Sequence, residues 1–175
     1  MALITLGANA ITALPSGVGG KVLQVVTATK TDTFSSSSTS YVDVTGISVA
    51  ITPSSTNNKI LVLVNFNASV TATDIWHAYQ ILRGATAINI GDTAGSRTVA
   101  SVGTALLAAT GSGNVIDNFS INYLDSPSTS SATTYKLQGK VQSGESFVIN
   151  RSDLDGDASY GLRTASTITV MEIAG

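Results

Sequence analysis

Tyr135-Lys136-Leu137-Gln138-Gly139-Lys140-Val141-Gln142 decides the class of fold. Tyr135, Leu137, Gly139 and Val141 share one parity, and Lys136, Gln138, Lys140 and Gln142 share the other. Successive side chains of a strand point to opposite faces, so this alternation describes a strand with one face on a core and one in water. The same signature recurs outward in both directions. Downstream, Phe147 to Asn150 and Thr167 to Ile173 are short apolar strands, and upstream Val115 to Leu124 sets Phe119, Ile121 and Tyr123 on one face. Further upstream, Val42 and Val44 alternate on one parity while Ile47, Val49 and Ile51 alternate on the other. The phase slips at Thr45-Gly46, as a β-bulge would require to keep both runs facing the core.

Lys59-Ile60-Leu61-Val62-Leu63-Val64 is apolar on both parities and continues as Phe66, Ala68 and Val70 alternating with Asn65, Asn67 and Ser69. A doubly apolar run in a one-sided sheet implies a second covering surface, which makes Ile60, Val62 and Val64 the candidate trimer interface. Val22 to Thr29 and Ile75 to Leu82 read as strands, with Ala87 to Ile90 pairing back across Arg83-Gly84. The tract Ser35 to Ser40 reads as an exposed loop, and Gly91 to Ala109 as loop plus strand. Many short strands separated by turn signals predict an all-β, jelly-roll-like antiparallel β-sandwich spanning residues 21–175.

Composition narrows the function. The chain has 175 residues, nine basic against eleven acidic side chains, no Cys and one His, with a mean hydropathy of +0.28. There is no basic footprint for nucleic acid, no apolar segment suited to a membrane, no disulfide framework and no thiolate zinc site. Ser and Thr make up about a quarter of the chain, whereas charged residues are only 11%. So few charges for so much surface suggest that copies of the chain, or a larger assembly, cover part of it. Residues 1–20, MALITLGANAITALPSGVGG, carry no charged side chain and end in a Gly-rich hinge. They read as an attachment arm whose apolar contacts would be Leu3, Ile4, Leu6, Ile11 and Leu14.

Four phrases carry a resemblance: ANAITALPSGVGGKVLQVV, SYVDVTGISVAITPSSTNNKILVLV, YLDSPSTSSATTYKLQ and NRSDLDGDASYGLRTASTITVMEIAG. They resemble small virion structural proteins of tailed bacteriophages, commonly labelled tail-fibre or minor structural proteins, with trimeric jelly-roll domains. The resemblance implies a homotrimer on a phage particle, assembled in the cytoplasm of a bacterial host and bound to the major capsid protein or another virion protein. No shaft repeats of heptad, collagen or β-helix type occur, which favours a capsid decoration protein over a fibre. A tail-fibre or head-fibre knob that binds a host surface glycan is the alternative, and a carbohydrate-active enzyme or free lectin a further one.

Chemistry-bearing clusters are sparse. Asp153-Leu154-Asp155-Gly156-Asp157 lacks EF-hand spacing, with Thr164 where a bidentate Glu would stand, so it reads as a solvated turn paired with Arg151 and Arg163 and not as a metal site. His77 sits in apolar company and reads as a hydrogen-bonded core or interface residue. Glu145 and Glu172 lie beside different strands and form no glycosidase pair. No nucleophile elbow, phosphate loop or dinucleotide fingerprint is present, so the chain is expected to be non-enzymatic and to hold no cofactor. Trp76, Tyr79 and Tyr160 are the candidate glycan contacts, because aromatic faces stack on sugar rings.

Overall fold

Residues 21–106 and 114–175 are described by the structure, a computed structural model. Among them the chain forms β1 (Val22–Lys30), β2 (Phe34–Ser36), β3 (Val42–Ile51), β4 (Lys59–Val70), β5 (Ile75–Arg83), β6 (Thr86–Ile88), β7 (Val102–Leu106), β8 (Asp117–Asp125), β9 (Thr133–Val141), β10 (Phe147–Ile149) and β11 (Ser166–Ile173), and no helix.

The pairing follows one rule. β1 pairs with β11, β2 with β10, β3 with β9, β4 with β8 and β5 with β7, all antiparallel. The chain is therefore a single long hairpin folded near β6, which pairs back on β5. Rolling that hairpin brings β11 and β10 onto β4, and β9 onto β5. The product is two sheets. The first runs β1-β11-β4-β8, with β2 and β10 extending it beside the end of β4; the second runs β3-β9-β5, with β6 and β7 on the far edge of β5. This nested order is the jelly roll expected from the strand pattern.

Each strand turns its apolar parity inward. Val44, Ile47, Val49 and Ile51 are all buried, although Val44 and Ile47 are three residues apart. The register slip between Asp43 and Ser48 accounts for this, with Gly46 at φ +87° supplying the left-handed residue of the bulge. At the centre an aromatic group bridges the sheets. Phe66 stacks on Phe119 at 5.1 Å and meets Tyr79 edge-on at 4.7 Å, and Tyr79 meets Phe147 at 5.6 Å. Gly139 faces this group with no side chain, and a Cβ there would lie 2.8 Å from both the Tyr79 and Phe147 rings.

Two expectations change. Ile60, Val62 and Val64 do not form a subunit interface: at 0–1% exposure they fill the core between the sheets. They share the inward parity of Phe66 and Ala68, and Leu61 and Leu63 are the residues of that run that face out. The Ser35–Ser40 tract is not wholly loop, because Phe34 anchors β2 by packing 5.8 Å from the Phe147 ring and carries Ser35 and Ser36 into the sheet.

Buried polar groups tie the roll shut. Glu172, 1% exposed, accepts from Gln24 Nε2 at 2.6 Å, Ser54 N–H at 2.6 Å, Ser54 Oγ at 2.8 Å and Asn58 Nδ2 at 2.5 Å. Burial raises its pKa, but the donors of Asn58, Gln24 and Ser54 outweigh that and bring it down to about 2. In the same row, across Ile60 from Glu172, Asp125 on β8 accepts from Arg83 Nη1 at 2.8 Å and from Tyr135 OH at 2.6 Å.

Candidate functional site

The outer face of the second sheet carries the polar chemistry of the domain. Asp43 on β3 accepts from Lys136 Nζ and Gln138 Nε2, each at 2.7 Å, and Gln138 Oε1 accepts from Gln80 Nε2 at 2.9 Å. Hydrogen bonds from Lys136 and Gln138 hold the Asp43 carboxyl below its usual pKa. This ladder is a structural feature of the sheet, since every member is occupied by another.

Beside it the aromatic character rises. Lys140 Nζ lies 5.4 Å from the centre of the Tyr41 ring and 5.3 Å from that of Trp76, so one ammonium is shared between two aromatic rings. The Tyr41 hydroxyl donates to the carbonyl of Val99 at 2.6 Å, and burial lifts its pKa to about 12. That bond pins the segment between β6 and β7 against the sheet, helped by Ser101 N–H to Tyr79 O at 2.8 Å, while Gly91 N–H to Ala100 O at 3.1 Å closes the segment on itself. Between segment and sheet is an open hollow of about 410 Å³, lined among others by Trp76, Asp92, Thr98 and Thr104. Ala78 and Gly103, opposite each other in the β5–β7 register, form a floor of minimal side chains. A Cβ on Gly103 would meet the His77 carbonyl at 2.9 Å, so the floor can rise no further.

Chemically the hollow offers one aromatic face, a nearby cation, a carboxylate and two hydroxyls. Such a set can hold a polar ring by stacking and hydrogen bonds. It has no nucleophile with an adjacent base. His77 borders the hollow with its backbone, but its 1% exposed side chain turns inward, where Nδ1 and the Tyr79 hydroxyl are hydrogen-bonded at 2.8 Å. Burial lowers the His77 pKa to about 4, so the imidazole is neutral at physiological pH.

The three aromatic residues expected to contact a glycan do not come together. Trp76 lines the hollow. Tyr79 is wholly buried, because the odd parity of β5 that carries it also carries His77 and Ile81 into the core. Tyr160 is 67% exposed on the loop between β10 and β11. Sequence reasoning missed Tyr41, Lys140 and Asp92. Lys140 is legible as an outward residue of β9, but its position opposite Ala78 and diagonal to Trp76 follows only from the β5–β9 register. The arm residues Leu3, Ile4, Leu6, Ile11 and Leu14 lie outside the described residues.

The aspartate loop is closed by its own arginines. Asp155 pairs with Arg163 and, at 3.9 Å, with Arg151, while Asp153 Oδ1 accepts from Val115 N–H at 3.0 Å. Among the described residues no group of three or more His, Asp or Glu side chains could hold a metal ion. Glu145 accepts from Thr71 Oγ1 at 3.0 Å, in a cluster separate from that of Glu172.

No family model matches the chain, and no curated protein matches it. Solved structures do align with it. One of the Gx strain of infectious bursal disease virus does so at 16% identity and a TM-score of 0.43, over 86% of this chain and 37% of that one. The VP2 subviral particle of the same virus aligns at 13% identity and a TM-score of 0.43, over 86% and 38%. One of the Gt strain aligns at 14% identity and a TM-score of 0.44, over 87% and 38%. This chain thus spans less than two-fifths of the length of those proteins.

Proposed function

We propose that the protein is a non-enzymatic structural component of a bacteriophage virion, a homotrimeric capsid decoration protein held to the particle by residues 1–20. The reading rests on the resemblance of its four sequence phrases to phage virion proteins. The observation that carries it is the roll: among the described residues the strands from Val22 to Ile173 pair in nested order around one apolar core. In this reading the uncharged, apolar residues 1–20 make the contact with the major capsid protein or another virion protein. Three arms on one trimer make attachment multivalent, so a modest affinity per arm suffices. Assembly then takes place in the cytoplasm of the bacterial host.

Deletion of residues 1–20 is the test. The shortened chain should keep its strand circular dichroism and its oligomeric mass yet fail to join particles. Decoration at full occupancy would place the attachment surface on the sandwich instead.

One observation favours a second reading, a knob that binds a host glycan. It is the hollow lined by Trp76, Asp92, Thr98 and Thr104, with Lys140 Nζ 5.3 Å from the centre of the Trp76 ring. Glycan-array binding lost in Trp76→Ala would support it, and an array with no binding at all would remove it.

A further inference from the structure

The charges of the domain follow a rule that one residue breaks. Among the described residues, each Lys or Arg that is not exposed has a carboxylate partner, with one exception. Lys30 has Asp32 at 2.8 Å, Arg83 has Asp125 at 2.8 Å, Lys136 has Asp43 at 2.7 Å and Arg151 has Asp155 at 3.9 Å. The exception is Lys140, half-buried on the outer face of β9 and in no ion pair. All eleven acidic side chains of the chain lie among the described residues, so no other part of the sequence supplies the missing carboxylate. What holds Lys140 is the pair of rings of Tyr41 and Trp76, and Tyr41 is itself fixed by its bond to the Val99 carbonyl. Ring faces attract an ammonium, yet they bring no opposite charge and no lone pair for its three N–H donors.

These unmet donors stand at the hollow. Lys140 lies directly opposite Ala78, which forms part of the floor. Among the described residues the Trp76 indole N–H donates to no acceptor, and the side chains of Asp92 and Thr98 make no hydrogen bond. The ladder on the same face is the contrast, since Asp43, Lys136, Gln138 and Gln80 satisfy one another.

We infer that the hollow is a site for an acidic sugar, whose carboxylate pairs with Lys140 while its ring lies against Trp76. This rests on the glycan-binding reading of the hollow and names the class of glycan which that reading leaves open. The incoming carboxylate supplies the counter-charge that the chain itself lacks. It meets an ammonium already positioned by two rings, so little side-chain freedom is lost on binding. The sugar hydroxyls donate to Asp92 and bond to Thr98, and the volume of about 410 Å³ falls within the range of small-ligand sites. Asp92 also selects among anions. A polyanion would bring several negative charges to a hollow bordered by one cation and one carboxylate, whereas an acidic sugar brings one charge and turns hydroxyl donors towards Asp92.

The test is an array of oligosaccharides that carry uronic or nonulosonic acids, each beside its carboxyl-reduced counterpart, probed with the full-length chain. The wild type should bind the acidic members at least about tenfold better than the reduced ones, and this preference should shrink as salt rises from about 50 to about 500 mM, because a half-exposed ion pair is screened. Lys140→Met should lose the preference with unchanged strand circular dichroism and melting temperature, and Lys140→Arg should keep it. Lys59→Met, which removes an exposed cation from the first sheet, should bind as the wild type does. Equal binding of acidic and reduced members, or a preference that survives in folded Lys140→Met, overturns the assignment while leaving the glycan reading intact. Should Lys140→Met misfold, the wild type decides, and a preference that does not respond to salt overturns the assignment. A hexaglutamate peptide that binds as tightly as the acidic sugars shows that charge alone is read and overturns the sugar class. An array with no binding at all removes the assignment and the glycan reading together.

Discussion

Replacing Glu172 tests whether the roll is fastened where its ends meet. The carboxylate sits on β11 and gathers donors from β1 through Gln24 and from the β3–β4 turn through Ser54 and Asn58. Asn58 in turn accepts from Gly175 N–H at 3.1 Å. Glu172→Ala leaves the Ser54 N–H and the Asn58 amide without their acceptor, at about 1–3 kcal/mol for each buried donor. The expected loss is therefore about 2–6 kcal/mol, which for a domain of this size lowers Tm by on the order of 10 °C. The pH dependence has a definite sign. The folded pKa of about 2 lies below the ordinary value of 4.5, so the stabilisation is complete above pH 4.5 and is lost as pH falls towards 2. Glu172→Gln keeps the shape and removes the titration. Calorimetry of the wild type and both variants from pH 7 to pH 2 measures this directly, with the wild-type Tm falling more steeply than that of Glu172→Gln through the window. Parallel wild-type and Gln curves, or an Ala variant melting within about 2 °C of wild type at pH 7, would refute the reasoning.

Gly139→Ala should destabilise by about 1–3 kcal/mol in thermal melts, because its Cβ would press on two fully buried rings; an unchanged Tm would show that the rings can shift. Arg83→Met should cost about 3–5 kcal/mol in denaturant unfolding, since Asp125 has a side chain only 4% exposed and would lose its buried ion-pair partner; a loss below about 1 kcal/mol would mean that the Tyr135 hydroxyl is enough. Excess calcium should leave Tm unmoved, because Asp155 is already paired with Arg151 and Arg163. A rise of many degrees that a chelator reverses would reveal an ion site in the β10–β11 loop.

Strand identity was legible in the sequence wherever one face is polar. Tyr135 to Gln142 and Val115 to Leu124 alternate cleanly, and the slip at Thr45-Gly46 showed the bulge because only an inserted residue keeps Val44 and Ile47 on the same side. The run from Ile60 to Val64 is different. Apolar on both parities, it leaves its inward face undefined locally, yet the alternation of Phe66, Ala68 and Val70 extends back through it and assigns Ile60, Val62 and Val64 to the core. Tyr79 is likewise placed by its parity with Ile81. The nested pairing and the hollow beside Trp76 were not legible. Each is assembled from residues tens of positions apart, and only the register between strands brings them side by side.

Copy number on purified particles is the measurement closest to the central proposal. Quantitative mass spectrometry of virions, calibrated against the major capsid protein, should find this chain in copies on the order of hundreds and in multiples of three, as a trimeric decoration of the capsid surface requires. A count on the order of a dozen would place it on the tail and favour the glycan-binding knob. Its absence from purified particles would contradict a virion role altogether.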